Sequence, residues 1–208
     1  MENHKSTYLR TVILIDDISS YHIELDEVEN WNKKLRLLKN CFVALDILRD
    51  SFSHYNGIIK EDDVLLIQAK EIKKRLQFIN HVRNKVSGHL DRSILEKAVQ
   101  WEPQIFKKAN QTNQEGQLLL TYKTLLESAI NSYIDNDSIQ KIFKTEIDLF
   151  YQPDQTLFLN FMWELNQDAI NFLTNIKNLI SDRIEFWDEE QLIKQAIIAG
   201  NTDFRLKK

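Results

Sequence analysis

Glycine and proline are scarce in this chain: four Gly and two Pro among 208 residues. So few of either cannot serve the many tight turns of an all-β sandwich. Leu, Ile, Lys, Glu, Asn and Gln dominate instead and suit helices. Hydrophobic residues make up 43%, enough for a real core. The expected fold is all-α: a helical bundle with a long central helix ending near Gly88 and further helices C-terminal to it. Residues 1–208 read as one domain, with a weak subdivision near 104–116.

Thr11-Val-Ile-Leu-Ile15 is a β-branched run too short for periodicity to decide. Helix is the better reading, because no partner strand is evident. Residues 27–53 place Trp31, Leu35, Leu38, Phe42, Leu45 and Leu48 at three- and four-residue steps, with Gly57 as a stop. From Glu61 to Ser87, Leu65, Ile72, Leu76, Ile79 and Val86 share one face. Lys70, Lys74, His81 and Lys85 lie opposite. Gly88 fits the stop, and Ser93-Ile-Leu-Glu96 fits a capping box for a helix running to Trp101. Residues 107–116 read as a loop, 117–134 as a helix, and Ser138 as the cap of a helix to Tyr151. Gln152-Pro153-Asp154 reads as a break. Residues 155–186 form a long helix, apolar on more than one face, that is central or part of a dimer interface. Asp188 caps a last helix ending at Gly200.

The net charge is −4 and the pI about 5.8, which disfavours a broad nucleic-acid-binding surface. The charge is uneven: Lys70 to Arg92 holds seven Lys or Arg against two acids. The single Cys41, flanked by Leu38, Phe42 and Leu45, excludes an internal disulfide and reads as a buried small hydrophobe in a reducing cytosol. No signal peptide or membrane-length apolar run is visible, so the expectation is a cytoplasmic protein without membrane contact. No metal-ligand spacing, Gly-rich phosphate loop or nucleophile elbow occurs, and no cofactor is expected. Asp16-Asp17 and Asp62-Asp63 read as helix-end or surface charges, and Trp31, Trp101, Trp163 and Trp187 as core and interface anchors.

The basic window surrounds Arg83-Asn84-Lys85-Val86-Ser87-Gly88-His89. Arg83 falls on the stripe of Ile72, Leu76, Ile79 and Val86 at about 100° per residue, so it projects from the apolar face. A charge there must be paired, face a cleft or sit at an interface. Asp91 is one available partner. Arg binds phosphate in a bidentate fashion, and His moves protons near neutral pH. Six residues separate the two, about 240° on a continuous helix, so they converge only if the helix stops near Ser87 or Gly88. The same residues also fit a plain helix end.

Arg83-Asn84 followed by His89 resembles the R-x(4–6)-H signature of HEPN domains (higher eukaryotes and prokaryotes nucleotide-binding). The resemblance covers residues 83–89 and the long helix before them. The His-x-Tyr extension of some HEPN toxins is absent, since Leu90-Asp91 follows His89. The resemblance implies an all-α bundle, commonly a homodimer whose paired motifs form one cleft. It implies a metal-independent endoribonuclease of toxin–antitoxin or phage-defence type, acting on RNA and held by an antitoxin or other protein partner. Arg83, Asn84 and His89 would be catalytic, and Lys70, Lys74 and Lys85 would guide the RNA backbone. The alternative is a non-catalytic helical scaffold, binding protein or RNA, in which Arg83 and His89 are structural.

Overall fold

A computed structural model describes residues 2–88 and 91–200. Among them run seven α-helices: α1 (Glu2–Glu27), α2 (Trp31–Ile59), α3 (Asp63–Arg83), α4 (Arg92–Trp101), α5 (Gln114–Asn131), α6 (Gln152–Ser181) and α7 (Glu189–Gly200). The β-branched run at 11–15 lies inside α1. No named strand occurs among the described residues, so the fold is an all-α bundle.

Side-chain caps explain most of the helix starts. The Asn30 amide oxygen accepts from Lys33 N, and Asp62 accepts from Val64 N and Leu65 N. Asn113 accepts from Gly116 N. Asp188 and Gln191 bond reciprocally to each other's backbone N–H, a capping box at the head of α7. Each bond satisfies an N–H that the first helical turn would otherwise leave without an acceptor.

α2 packs on α1, α3, α5 and α6, and α6 also packs on α1 and α3. Their shared interior holds Leu38, Leu45, Leu76, Ile79, Phe158 and Phe172, all at 0% exposure. Burying one such side chain is worth about 1.5–3 kcal/mol. Of the four tryptophans, only Trp31 packs against this core while partly buried; Trp101, Trp163 and Trp187 are exposed.

Several boundaries depart from the sequence reading. Gly57 lies within α2, which continues to Ile59, because a glycine between Tyr55 and Ile58, both buried, is carried by its neighbours' packing. Pro153 starts α6 instead of ending anything, since an N-terminal turn does not need its missing N–H. α6 stops at Ser181, short of 186. A 3-10 turn, Lys108–Gln111, and the start of α5 at Gln114 occupy part of the expected loop, and another 3-10 turn, Pro103–Phe106, precedes it.

The largest departure is at 138–151, where no helix forms. Ser138 sits at φ 62° and Lys144 at φ 59°, left-handed values, whereas an N-cap needs extended backbone. Side chains supply the hydrogen bonds a helix would have made. Asn131 accepts from Ile147 N and donates to Ile147 O, both at 2.9 Å. Gln140 accepts from Ile142 N and Phe143 N, and Glu127 accepts from Leu149 N. Phe143 then enters an aromatic cluster with Phe78, Phe158 and Phe161, at centroid distances of 5.4–6.1 Å. That burial outweighs local helix propensity.

Candidate functional site

The end of α3 positions the Arg83 segment. The α-helix gives way at Asn84 to a π-helical turn, Asn84–Gly88. Such turns are rare and frequent at functional sites. Val86 still reaches the core at 3% exposure. Asp91 has φ −50° and ψ 124°, so the chain is not helical there and α4 starts afresh at Arg92. A straight helix through residue 92 is thereby excluded. His89 and Leu90 lie outside the described residues.

Arg83 does face the interior side of α3, and its partner is Asp46 on α2, not Asp91. The Nε atom lies 3.6 Å from Asp46 Oδ2, with the arginine side chain 34% exposed and the aspartate 9%. Arg49 Nε lies 3.1 Å from the other carboxylate oxygen. Both are ion pairs by distance, but neither is aligned as a hydrogen bond. Burial pushes the Asp46 carboxyl above its ordinary value, against the lowering effect of Arg49 and Arg83. Two guanidinium groups therefore only partly compensate a carboxylate set among Leu45, Leu48 and Phe42.

Asn84 continues the arrangement. Its Oδ1 accepts from Arg83 Nη1 at 3.1 Å, and its Nδ2 donates to Asn80 Oδ1 at 3.0 Å. The guanidinium is thus held from two sides, by the α2 carboxylate and by an asparagine ladder on its own helix.

The lysines are less concentrated than the linear sequence suggests. Lys85 Nζ lies 3.4 Å from Asp91 Oδ2. Asp91 also accepts from the Ser93 N–H and hydroxyl, which hold its carboxyl at about 2, and it, not Ser93, caps α4. Lys74 pairs with Glu71 at 2.6 Å, Arg75 with Asp168 at 2.5 Å, and Arg92 with Glu96 at 2.8 Å. Lys70 is exposed. Acids from α2, α3, α4 and α6 balance much of the basic window, although exposed pairs of this kind are worth only about 0–1 kcal/mol. Lys70 lies about 20 Å along α3 from Arg83, so it does not form one patch with it.

His81 does not point to solvent. Its Nε2 is 2.9 Å from Ser132 Oγ and its ring is 5.0 Å from that of Tyr133. Ser132 donates its hydroxyl proton to Ala129 O, so the imidazole is not activating it as a nucleophile. Cys41 is wholly buried, with its thiol on Asn166 Oδ1 at 3.3 Å. Burial pushes that thiol up to about 12, and it is inert packing.

Asp46 is the site residue that the periodicity argument passed over. It is a lone acid in the apolar run Phe42-Val-Ala-Leu-Asp-Ile-Leu48. A carboxylate in such a run needs a cation from another element, and Arg83 has the matching anomaly on α3. No helix among the described residues is long and apolar enough to cross a membrane. Comparison of the chain with protein-family models, curated proteins and solved structures found no match.

Proposed function

We propose that this protein is a HEPN-like, metal-independent endoribonuclease, working in the cytoplasm as a toxin or phage-defence effector. The observation that carries this reading is the held but one-third-exposed Arg83 guanidinium, set between Asp46 and Asn84 where α3 breaks. In this reading His89 takes the ribose 2′-hydroxyl proton or returns one to the leaving 5′-oxygen. Arg83 stabilises the charge developing on the scissile phosphate, and Asn84 fixes the guanidinium's direction. Lys70, Lys74 and Lys85 guide the RNA backbone, Lys74 and Lys85 by exchanging their acidic partners for phosphates. The product is a 2′,3′-cyclic phosphate. A homodimer would set two such motifs across one cleft, with an antitoxin or other protein partner covering it.

The Arg83–Asp46 pair also favours a second reading. An arginine committed to a carboxylate on the neighbouring helix can serve to join α2 and α3 in a non-catalytic scaffold for protein or RNA. RNA cleavage in EDTA by the wild type, His89→Ala and Arg83→Ala separates the two. Loss of cleavage in both variants, with unchanged helical circular dichroism, supports the nuclease. Equal activity in wild type and variants, or none with varied RNAs, sinks it in favour of the scaffold.

A further inference from the structure

We propose that the cleft between α1, α2 and α6 binds a small monocarboxylate with an apolar, ring-sized body. The cleft measures about 230 Å³ and is lined by His22, Asp26, Lys34, Met162, Trp163 and Asn166, among others. At about 30 Å³ per water molecule, that is room for a ring-bearing molecule and not merely one or two waters.

The floor and walls call for different parts of such a ligand. Asn166 is at 0% exposure, with its Oδ1 committed to the Cys41 thiol. Its Nδ2 is buried without a partner, and so is His22 Nδ1. A buried donor without an acceptor is unfavourable, and an acceptor oxygen reaching the floor would relieve it. Lys34 also lines the cleft, its Nζ 5.7 Å from the Trp31 ring centroid, and offers a cation to a carboxylate there. Leu25, Leu159, Met162 and Trp163 offer apolar surface to the body of the ligand. Trp163 is 51% exposed, and its ring lies 5.2 Å from that of His22 at 42°. Asp26 also lines the cleft, and its charge repels a phosphate dianion about twice as strongly as a monocarboxylate at the same distance.

This cleft is separate from the Arg83 site. Lys34 and Asp46 lie about 18 Å apart along α2, so ligand binding here does not depend on the nuclease reading.

Benzoate is the probe, titrated into the full chain and followed by calorimetry, Trp fluorescence and the side-chain amide signal of Asn166. Benzamide, benzylamine and phenyl phosphate are the comparators. The expected result is saturable benzoate binding that moves the Asn166 amide resonance, at least tenfold tighter than any comparator. Lys34→Met and Trp163→Ala, both changes of side chains that reach solvent, should each weaken it at least tenfold without altering the helical spectrum. Absent or non-saturable benzoate binding, an unmoved Asn166 signal, undiminished affinity in Lys34→Met, or a comparator that binds as well overturns the proposal.

Discussion

Asp46 on α2 and Arg83 on α3 face each other across the helix interface at 3.6 Å, and each is the one charge in its own apolar stripe. The pair is half wet, because the arginine is 34% exposed. A double-mutant cycle over Asp46→Asn and Arg83→Ala should give a coupling of about 0.5–1 kcal/mol by denaturant unfolding. Arg83→Ala should also push the Asp46 carboxyl further up in an NMR titration, since one of its two cations is gone. A coupling near zero would mean that the two charges merely pass near each other.

Glu127 and His81 should give the stability profile two opposing slopes. Burial raises the Glu127 carboxyl from 4.5 to about 7, against Lys123 at 3.2 Å and the Leu149 N–H. Between those values the folded state keeps a proton that the unfolded chain has lost, so stability declines as pH rises through the window. The loss is on the order of 3 kcal/mol. His81 is shifted down from 6.5, again chiefly by burial. Its folded form resists protonation, so its contribution is present above 6.5 and declines as pH falls. Glu127→Gln should therefore remove the loss between 4.5 and about 7 and leave stability rising with pH near 6. Chemical denaturation at pH 4.5 to 8 reads both slopes.

Gly57 is a glycine inside a helix with open space where a Cβ would go. Gly57→Ala should stabilise the protein by about 0.5–1 kcal/mol, through the helix propensity of alanine and a less flexible unfolded chain. Thermal unfolding with the transition shifted upward is the expected reading. No shift would mean that the α2 end frays independently of the rest.

Cys41 should resist aqueous thiol reagents in the folded protein and react fully once it is unfolded. It is 0% exposed and its thiol is pushed up to about 12. Labelling by a disulfide-exchange dye in native buffer, at a rate above that of global unfolding, would contradict this packing.

Much of the bundle was legible because apolar spacing reports burial directly. The stripe of Leu65, Ile72, Leu76, Ile79 and Val86 is buried, as the three- and four-residue steps require. Local caps were legible where the cap is a short side chain beside its helix, as at Asp188. Residues 138–151 were not, because Ile147 and Leu149 bond to Asn131 and Glu127 by virtue of tertiary position, which spacing does not encode. Arg83 was legible as an anomaly and its partner was not. Asp46 lies 37 positions away in another helix, and only the packing of α2 on α3 brings the two together.

The Asn131 amide pairs with both the N–H and the carbonyl of Ile147, as one strand residue pairs with another. That makes the segment sensitive to chemical ageing at one atom. Hydrolysis of this amide to a carboxylate removes the donor and sets a negative oxygen against the Ile147 carbonyl, so the anchor is replaced by a repulsion. Spontaneous deamidation in a stored sample would then loosen the chain around Phe143 while every helix kept its own hydrogen bonds.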